Sequence, residues 1–331
     1  MKKIFTLLFC LIFINQKSFA VTFSEALLQA YKNNPELNAE RENIKISQQD
    51  LKISRSGLLP SVTYSGSKSK EDTDKLTKQN GTNATVTDVD PMNHSILIEQ
   101  TLIDFGKTAD LSKSKIGIDI SKAKLLKKEQ EILLKAAQAY TGLIFANKKL
   151  EITKSNLQLL ERQVETDQAR LERGQITLAD LAQSESSFAG AQASFIKSKN
   201  QITTSKLNYE NIIGTTVDIN LLEDINNQIF STPKDLSGAI EISKKNNPDL
   251  TIARLEYEQA DKDISIARSQ LSPSATLSFE NSRSEDFSAT YDERVKNTLK
   301  ATIKWPIYSG GKNIASLSKN RNLKNRKKLL F

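Results

Sequence analysis

The sequence predicts a mainly α fold with a small β part, in which long antiparallel helical hairpins and paired strands are laid out as an internal duplication. Three observations carry the prediction. The segment Asn33-Asn34-Pro35-Glu36-Leu37 returns as Asn246-Asn247-Pro248-Asp249-Leu250, and Leu59-Pro60-Ser61 returns as Ser272-Pro273-Ser274, both at an offset of 213 residues. Hydrophobic patterning switches from a helical period to strict alternation at the second proline of each copy, and then back. Between the copies, two series of apolar residues repeat every seven positions and mirror one another about one centre.

Each copy therefore reads helix, strand, strand, helix. In the first, a helix over 34–57 is ended by Pro60, which denies the backbone a donor. Residues 61–67 alternate, with Val62 and Tyr64 on one face. After a polar loop, Ile96, Ile98, Gln100 and Leu102 alternate with Leu97, Glu99, Thr101 and Ile103. Helical patterning resumes at about Lys107, past the turn Asp104-Phe105-Gly106-Lys107. In the second copy Ala275, Leu277 and Phe279 share a face, and Leu299, Ala301, Ile303 and Trp305 oppose Lys300, Thr302 and Lys304. That is the pattern of a lipid-facing strand ending in an interfacial aromatic, although a soluble sandwich alternates in the same way. The turn Tyr308-Ser309-Gly310-Gly311-Lys312 matches Ile103-Asp104-Phe105-Gly106-Lys107, so Gly106, Gly310 and Gly311 fall at strand-to-helix turns.

The hairpin between the copies can be paired from residue numbers alone. Leu143, Leu150, Leu157, Val164 and Leu171 form one series, and Leu181, Phe188, Phe195, Ile202 and Tyr209 form the other. Folding about Ile176 sets Leu171 against Leu181 and Leu143 against Tyr209, and every intermediate pair sums to the same value, as antiparallel arms require. The first arm, from about Lys107, is on the order of 100 Å long at 1.5 Å per residue. Gly174 lets the chain turn between the arms.

The amino terminus predicts export. Lys2-Lys3, an apolar run over 4–14 and Ser18-Phe19-Ala20 make up a secretory signal over 1–20, too short and wrongly flanked to span a membrane as a helix. Cys10 is the chain's one cysteine and lies in that run, so a mature chain has no disulfide, thiol nucleophile or cysteine metal site. His94 is the one histidine, which excludes a histidine metal cluster. It reads as a polar residue at a strand edge. The +8 formal charge includes Lys2, Lys3 and Lys17, leaving 44 basic against 39 acidic residues and a mature balance of +5, a weak argument against nucleic acid. The basic end, from Lys319 to Lys328, is either a nucleic-acid arm or the solvated face of a starting helix. Hydrophobic residues at 38% and aromatics at 6% suit narrow helical seams between solvated faces better than one large core. No catalytic constellation or cofactor motif is visible; Asp104-Phe105-Gly106 lacks every companion of the kinase motif and reads as a turn.

The duplicated Asn-Asn-Pro helix start, the strand pairs, the two turns and the tip Arg173-Gly174-Gln175-Ile176-Thr177-Leu178-Ala179-Asp180-Leu181 together resemble the TolC family of outer-membrane efflux proteins. The resemblance spans nearly the whole mature chain. It implies a homotrimer in which each protomer gives four strands to a shared twelve-stranded outer-membrane β-barrel and long helices to a periplasmic tunnel. It further implies a passive conduit for type I secretion or multidrug efflux, docked to a periplasmic membrane-fusion adaptor and an inner-membrane transporter, with no cofactor, metal or nucleic acid. Arg173, Gly174, Thr177 and Asp180 would stand at the periplasmic entrance, and Asp180 matches a family position whose carboxylate helps hold that entrance closed. Read without the resemblance, Asp180 is an acid favoured at a helix amino terminus. Leu299, Ala301, Ile303 and Trp305 would face lipid.

The implied domains are a signal over 1–20, a first efflux repeat over 21–219, a connector over 220–234 and an incomplete second repeat over 235–331. The resemblance implies that the second copy continues from Lys312 through another long hairpin of about 100 residues; the sequence departs from that pattern by ending at Leu329-Leu330-Phe331 in mid-helix, as expected of a fragment. The polar stretch 67–90 is expected to be an exterior loop. A periplasmic coiled-coil adaptor or scaffold without a pore is the alternative function, disfavoured by the duplication and the strands.

Overall fold

The computed structural model describes residues 21–72, 80–82, 89–224, 233, 235–288 and 291–330. The expected signal, and parts of the expected loop and connector, lie outside them. The elements in order are α1 (Phe23–Asn33), α2 (Pro35–Ser56), β1 (Ser61–Lys68), β2 (Met92–Ile103), α3 (Phe105–Glu172), α4 (Leu178–Ile213), α5 (Leu236–Asn246), α6 (Pro248–Ser269), β3 (Ser274–Ser288), β4 (Tyr291–Lys304) and α7 (Lys312–Leu330). The duplication survives in the boundaries. Helices α1 and α5 both have 11 residues, α2 and α6 both have 22, and α1, α2 and β1 start 213 residues before α5, α6 and β3.

Local chemistry sets the helix ends. Thr22 and Glu25 form a reciprocal capping box at α1, with Glu25 N donating to Thr22 Oγ1 at 3.2 Å and Thr22 N to Glu25 Oε2 at 3.0 Å. Proline opens α2 and α6, where its missing N–H would find no intrahelical partner. The preceding asparagine caps each: Asn34 Oδ1 accepts from Leu37 N at 3.1 Å and Asn247 Oδ1 from Asp249 N at 2.8 Å. Helix α3 starts at Phe105, two residues before the pattern suggested, because Asp104 Oδ1 accepts from Gly106 N at 2.8 Å and Lys107 N at 3.0 Å.

The chain divides into two compact units, and each draws on both repeats. One comprises the described residues up to Arg41 and those from Leu125 to Ser243. Its core joins Ala26 and Ala30 of α1, Leu37 of α2, Ile132, Ala136, Tyr140 and Leu143 of α3, Tyr209 and Ile213 of α4, and Val217. The alanines let the helices close in, and Asn34 Nδ2 ties the end of α4 by donating to the Ile212 carbonyl at 2.9 Å. The Tyr140 hydroxyl lies 2.9 Å from the Val21 carbonyl and 2.8 Å from that of Glu223, so it ties these two distant stretches of the chain to α3.

Beside it, the buried Tyr209 hydroxyl has no hydrogen-bond partner among the described residues, and burial pushes its pKa up to about 12. Removing an unsatisfied buried hydroxyl costs no bond, so Tyr209→Phe is expected to raise stability by about 1 kcal/mol, whereas Tyr140→Phe lowers it by a similar amount. Urea midpoints of the two variants check the opposite signs.

The other unit comprises Glu42 to Lys124 and the described residues from Lys244. Polar contacts link its helices: Ser47 with Ser121 at 2.6 Å, Ser54 with Ser114 at 2.7 Å, Lys113 with Asp263 at 2.8 Å and Lys324 with Asp261 at 2.6 Å, with Lys327 paired to Glu256. The strands form one antiparallel sheet in the order β1-β2-β3-β4. Both repeats fasten strand to helix alike: Gln100 Nε2 donates to the Leu58 carbonyl at 2.8 Å, and Trp305 Nε1 to the Leu271 carbonyl at 3.1 Å.

Two expectations, for His94 and for Ile103, are corrected, and β3 is longer than its apolar residues mark. β2 begins at Met92, so His94 lies inside the strand rather than at its edge, and its Nδ1 is 2.7 Å from the Tyr64 hydroxyl. β3 runs on to Ser288 through polar residues, held by cross-strand pairs such as Asn281 Nδ2 to Asn297 Oδ1 at 2.7 Å. A bulge between Thr101 and Ile103 leaves Leu102 as the extra residue and sets Ile103 opposite Ala275, on the face of Gln100 and Ile98 rather than that of Thr101.

Candidate functional site

The strand register sorts the sheet into two unlike faces. On one face Val62, Ile98, Phe279 and Leu299 form a row across all four strands; Gln100, Leu277 and Ala301 form the next, and Ile103, Ala275 and Ile303 the one after. The other face carries Ser61, Glu99, Ser278 and Lys300, then Thr101, Thr276 and Thr302. Leu299, Ile303 and Trp305 are open in the protomer, Ile303 at 78%. Along β4 the apolar band is bounded by Trp305 at one end and by the bonded Asn281–Asn297 pair at the other. Eight residues at about 3.4 Å each make roughly 27 Å of strand, or about 20 Å of height at the usual tilt of a transmembrane barrel strand. Beyond the asparagines the same face turns ionic, with Arg283 Nε 2.8 Å from Glu285 and 3.0 Å from Glu293.

The hairpin tip is built by its own backbone chemistry. Arg173 and Gly174 turn the chain, and Gly174 takes φ +71°, which a side chain would strain. Thr177 caps α4: its N and Oγ1 donate to Asp180 Oδ2 at 2.8 and 2.7 Å, and Asp180 N donates back to Thr177 Oγ1 at 3.2 Å. Hydrogen bonds from the Thr177 amide and hydroxyl hold the Asp180 carboxyl below the usual carboxylate range. In the protomer, then, Asp180 serves the helix start, the local role expected of it.

Both heptad series lie on covered faces of their arms, among mostly exposed neighbours. A second row, three positions on, was not read from the sequence. Ala146, Thr153, Leu160 and Asp167 on α3, and Ser184, Ala191, Ser198 and Ser205 on α4, are likewise covered. Apart from Leu160 its members are small or polar, so no hydrophobic pattern revealed it; only their seven-residue spacing could have. Asp167 is 6% exposed, and its Oδ2 accepts from Ser184 Oγ of the opposite arm at 2.6 Å and from Gln163 Nε2 at 2.8 Å. Those bonds, Ser184's first, hold its carboxyl below the usual range.

The glycines at the strand-to-helix turns differ in kind. Gly310 and Gly311 adopt φ +62° and +80°. At Gly106 a Cβ would collide with Ser269 Oγ at the end of α6. Among the described residues no cluster of His, Cys, Asp and Glu is arranged to hold a metal, and no helix is long and apolar enough to cross a membrane.

Comparison with known proteins matches this geometry. A profile described as "Outer membrane efflux protein" covers residues 26–215 and 239–327. The alkaline protease secretion protein AprF of Pseudomonas aeruginosa is 22% identical over 324 residues, 96% of this chain and 67% of that one. The outer membrane efflux protein BepC of Brucella suis is 24% identical over 309 residues, 92% and 65% of the two chains. The chain thus spans about two thirds of the length of these relatives. Among solved structures, the transmembrane channel protein CusC superposes with a TM-score of 0.77 at 16% identity, covering 95% of this chain and 74% of that one, which establishes the fold. With the profile matched across most of both repeats, the chain belongs to the outer membrane efflux protein family.

Proposed function

We propose that the chain is the protomer of an outer-membrane duct, a passive conduit for secretion or efflux that docks to a periplasmic adaptor and an inner-membrane transporter. The observation that carries this reading is the two-faced sheet with free edges. In the order β1-β2-β3-β4 the outer strands each leave one edge unpaired among the described residues of the protomer. A sheet in lipid must pair every edge. Three copies joining β4 of one to β1 of the next give twelve antiparallel strands, the apolar rows outward and the Thr101, Thr276 and Thr302 row toward water. In this reading Leu299, Ala301, Ile303 and Trp305 face lipid, and Arg173, Gly174, Thr177 and Asp180 stand at the periplasmic entrance.

The outer sides of the hairpin support lateral assembly. On α3, Phe145, Ile152 and Leu159 recur every seven residues and are 69%, 69% and 66% exposed. On α4, Ala182, Ala189, Ala193 and Ile196 line an exposed, uncharged strip away from the seam. A helix with apolar stripes on two sides has a place for a neighbour on each, as the wall of a tunnel requires.

The test is single-channel recording in planar bilayers with electrophoresis of unheated samples. The parent is expected to form heat-sensitive trimers and stepwise conductance. Replacing both Ile152 and Leu159 by Glu buries charge only on assembly, so it is expected to cut the trimer fraction by about tenfold or more while leaving protomer helicity unchanged. Parental trimer levels in that variant would overturn the tunnel wall.

A further inference from the structure

We propose that Asp167 is a positioning residue of the hairpin tip, a carboxylate buried between the arms whose bond to Ser184 fixes their register; its bearing on the entrance rests on the duct reading above. Asp167, 6% exposed, is the one charged residue that is buried among the described residues. A buried carboxylate is unfavourable unless its oxygens are satisfied. Here Ser184 does this from the opposite arm and Gln163 from one turn earlier, with Arg170 Nη1 at 3.9 Å.

The other polar members of that row do not cross. Thr153 Oγ1 donates to the Lys149 and Leu150 carbonyls of its own helix, and Ser198 Oγ to Ser194. From Leu143 to the tip, Asp167–Ser184 is the one side-chain hydrogen bond between the arms among the described residues. The flanking layers, Val164 with Phe188 and Leu171 with Leu181, are apolar by sequence and would tolerate slippage. A slip of one heptad brings Asp167 against Ala191, which offers no donor, and leaves the charge unpaired. A leucine at this position would pack a seam more stably. A single polar seam residue instead excludes alternative registers. The register in turn sets where Arg173 to Asp180 is held.

The experiment places nitroxide labels at Glu165 and Ser186, exposed positions on the two arms near the latch, in a chain whose only other cysteine, Cys10, lies in the expected signal. Pulsed dipolar spectroscopy then reads their separation, and hydrogen exchange reads the amides of 171–181. Asp167→Ala and Ser184→Ala are each expected to broaden the distance distribution and speed tip exchange by about tenfold, with no further change in the double variant. Asp167→Asn, whose amide oxygen accepts both bonds, is expected to retain the parental distribution. Asp167→Leu is expected to add a second distance population. A narrow distribution with parental exchange in Asp167→Ala would overturn the latch. A loosened tip with unaltered conductance would overturn its bearing on the entrance while leaving the duct reading to the Ile152 and Leu159 test.

Discussion

Ala301→Arg is expected to stop outer-membrane assembly, and Thr302→Arg, one residue along the same strand, to be tolerated. Ala301 lies midway between Trp305 and the Asn281–Asn297 pair, in the row of Leu277 and Gln100. A basic residue at the centre of a lipid-facing strand costs about 2–4 kcal/mol per protomer. A symmetric trimer would meet that cost three times over. Thr302 points to the other face, where Thr101 and Thr276 are its neighbours and Lys300 and Lys304 already stand on either side. Neither position is buried in the protomer, so any difference between the variants arises on insertion. Heat-modifiable trimers in outer-membrane fractions measure it, and equal yields from the two variants would invert or abolish the lipid-facing assignment.

The second large effect is expected at Leu143. Its side chain is fully buried where α1, α3 and α4 meet, in the cluster with Ala30, Tyr140 and Tyr209. Leu143→Ala should lower unfolding free energy by about 2–5 kcal/mol, the transfer loss plus the cavity that tightly packed helices cannot refill. Phe145 provides the contrast. Although larger and only two residues away, it is mostly exposed, so Phe145→Ala should shift protomer stability by about 0.5 kcal/mol or less. Denaturant titration of detergent-solubilised protomers compares the two, and a Phe145→Ala loss as large as that at Leu143 would show its stripe to be covered within the protomer.

What the sequence made legible were features with strong local signatures. Prolines at 35, 60, 248 and 273 marked helix starts and ends because a residue without an N–H has few permitted places. The large residues of the first heptad series marked the seam because they are apolar at a fixed interval. The second row escaped because Thr153, Asp167, Ser184 and Ser198 look like solvated positions, and their burial depends on the opposite arm. The bulge at Leu102 escaped for a related reason: the sequence there is apolar at both Leu102 and Ile103, so register depends on pairing with β3. The early start of β2 and the long reach of β3 likewise depend on cross-strand bonds among Asn, Ser, Arg and Glu, which no hydrophobic alternation announces. At the tip, Asp180 was legible as an acid at a helix amino terminus, whereas its bonds to Thr177 and the latch from Asp167 to Ser184, seventeen residues apart, were not.

Because the two repeats fasten their strands by the same bond but with different donors, an amide at Gln100 and an indole at Trp305, the molecule holds its only tryptophan at a single junction. In the proposed barrel its near-ultraviolet emission therefore comes from one defined depth rather than from an average over the fold. Quenchers dissolved in lipid or in water would report that level directly, with no label attached and no residue replaced.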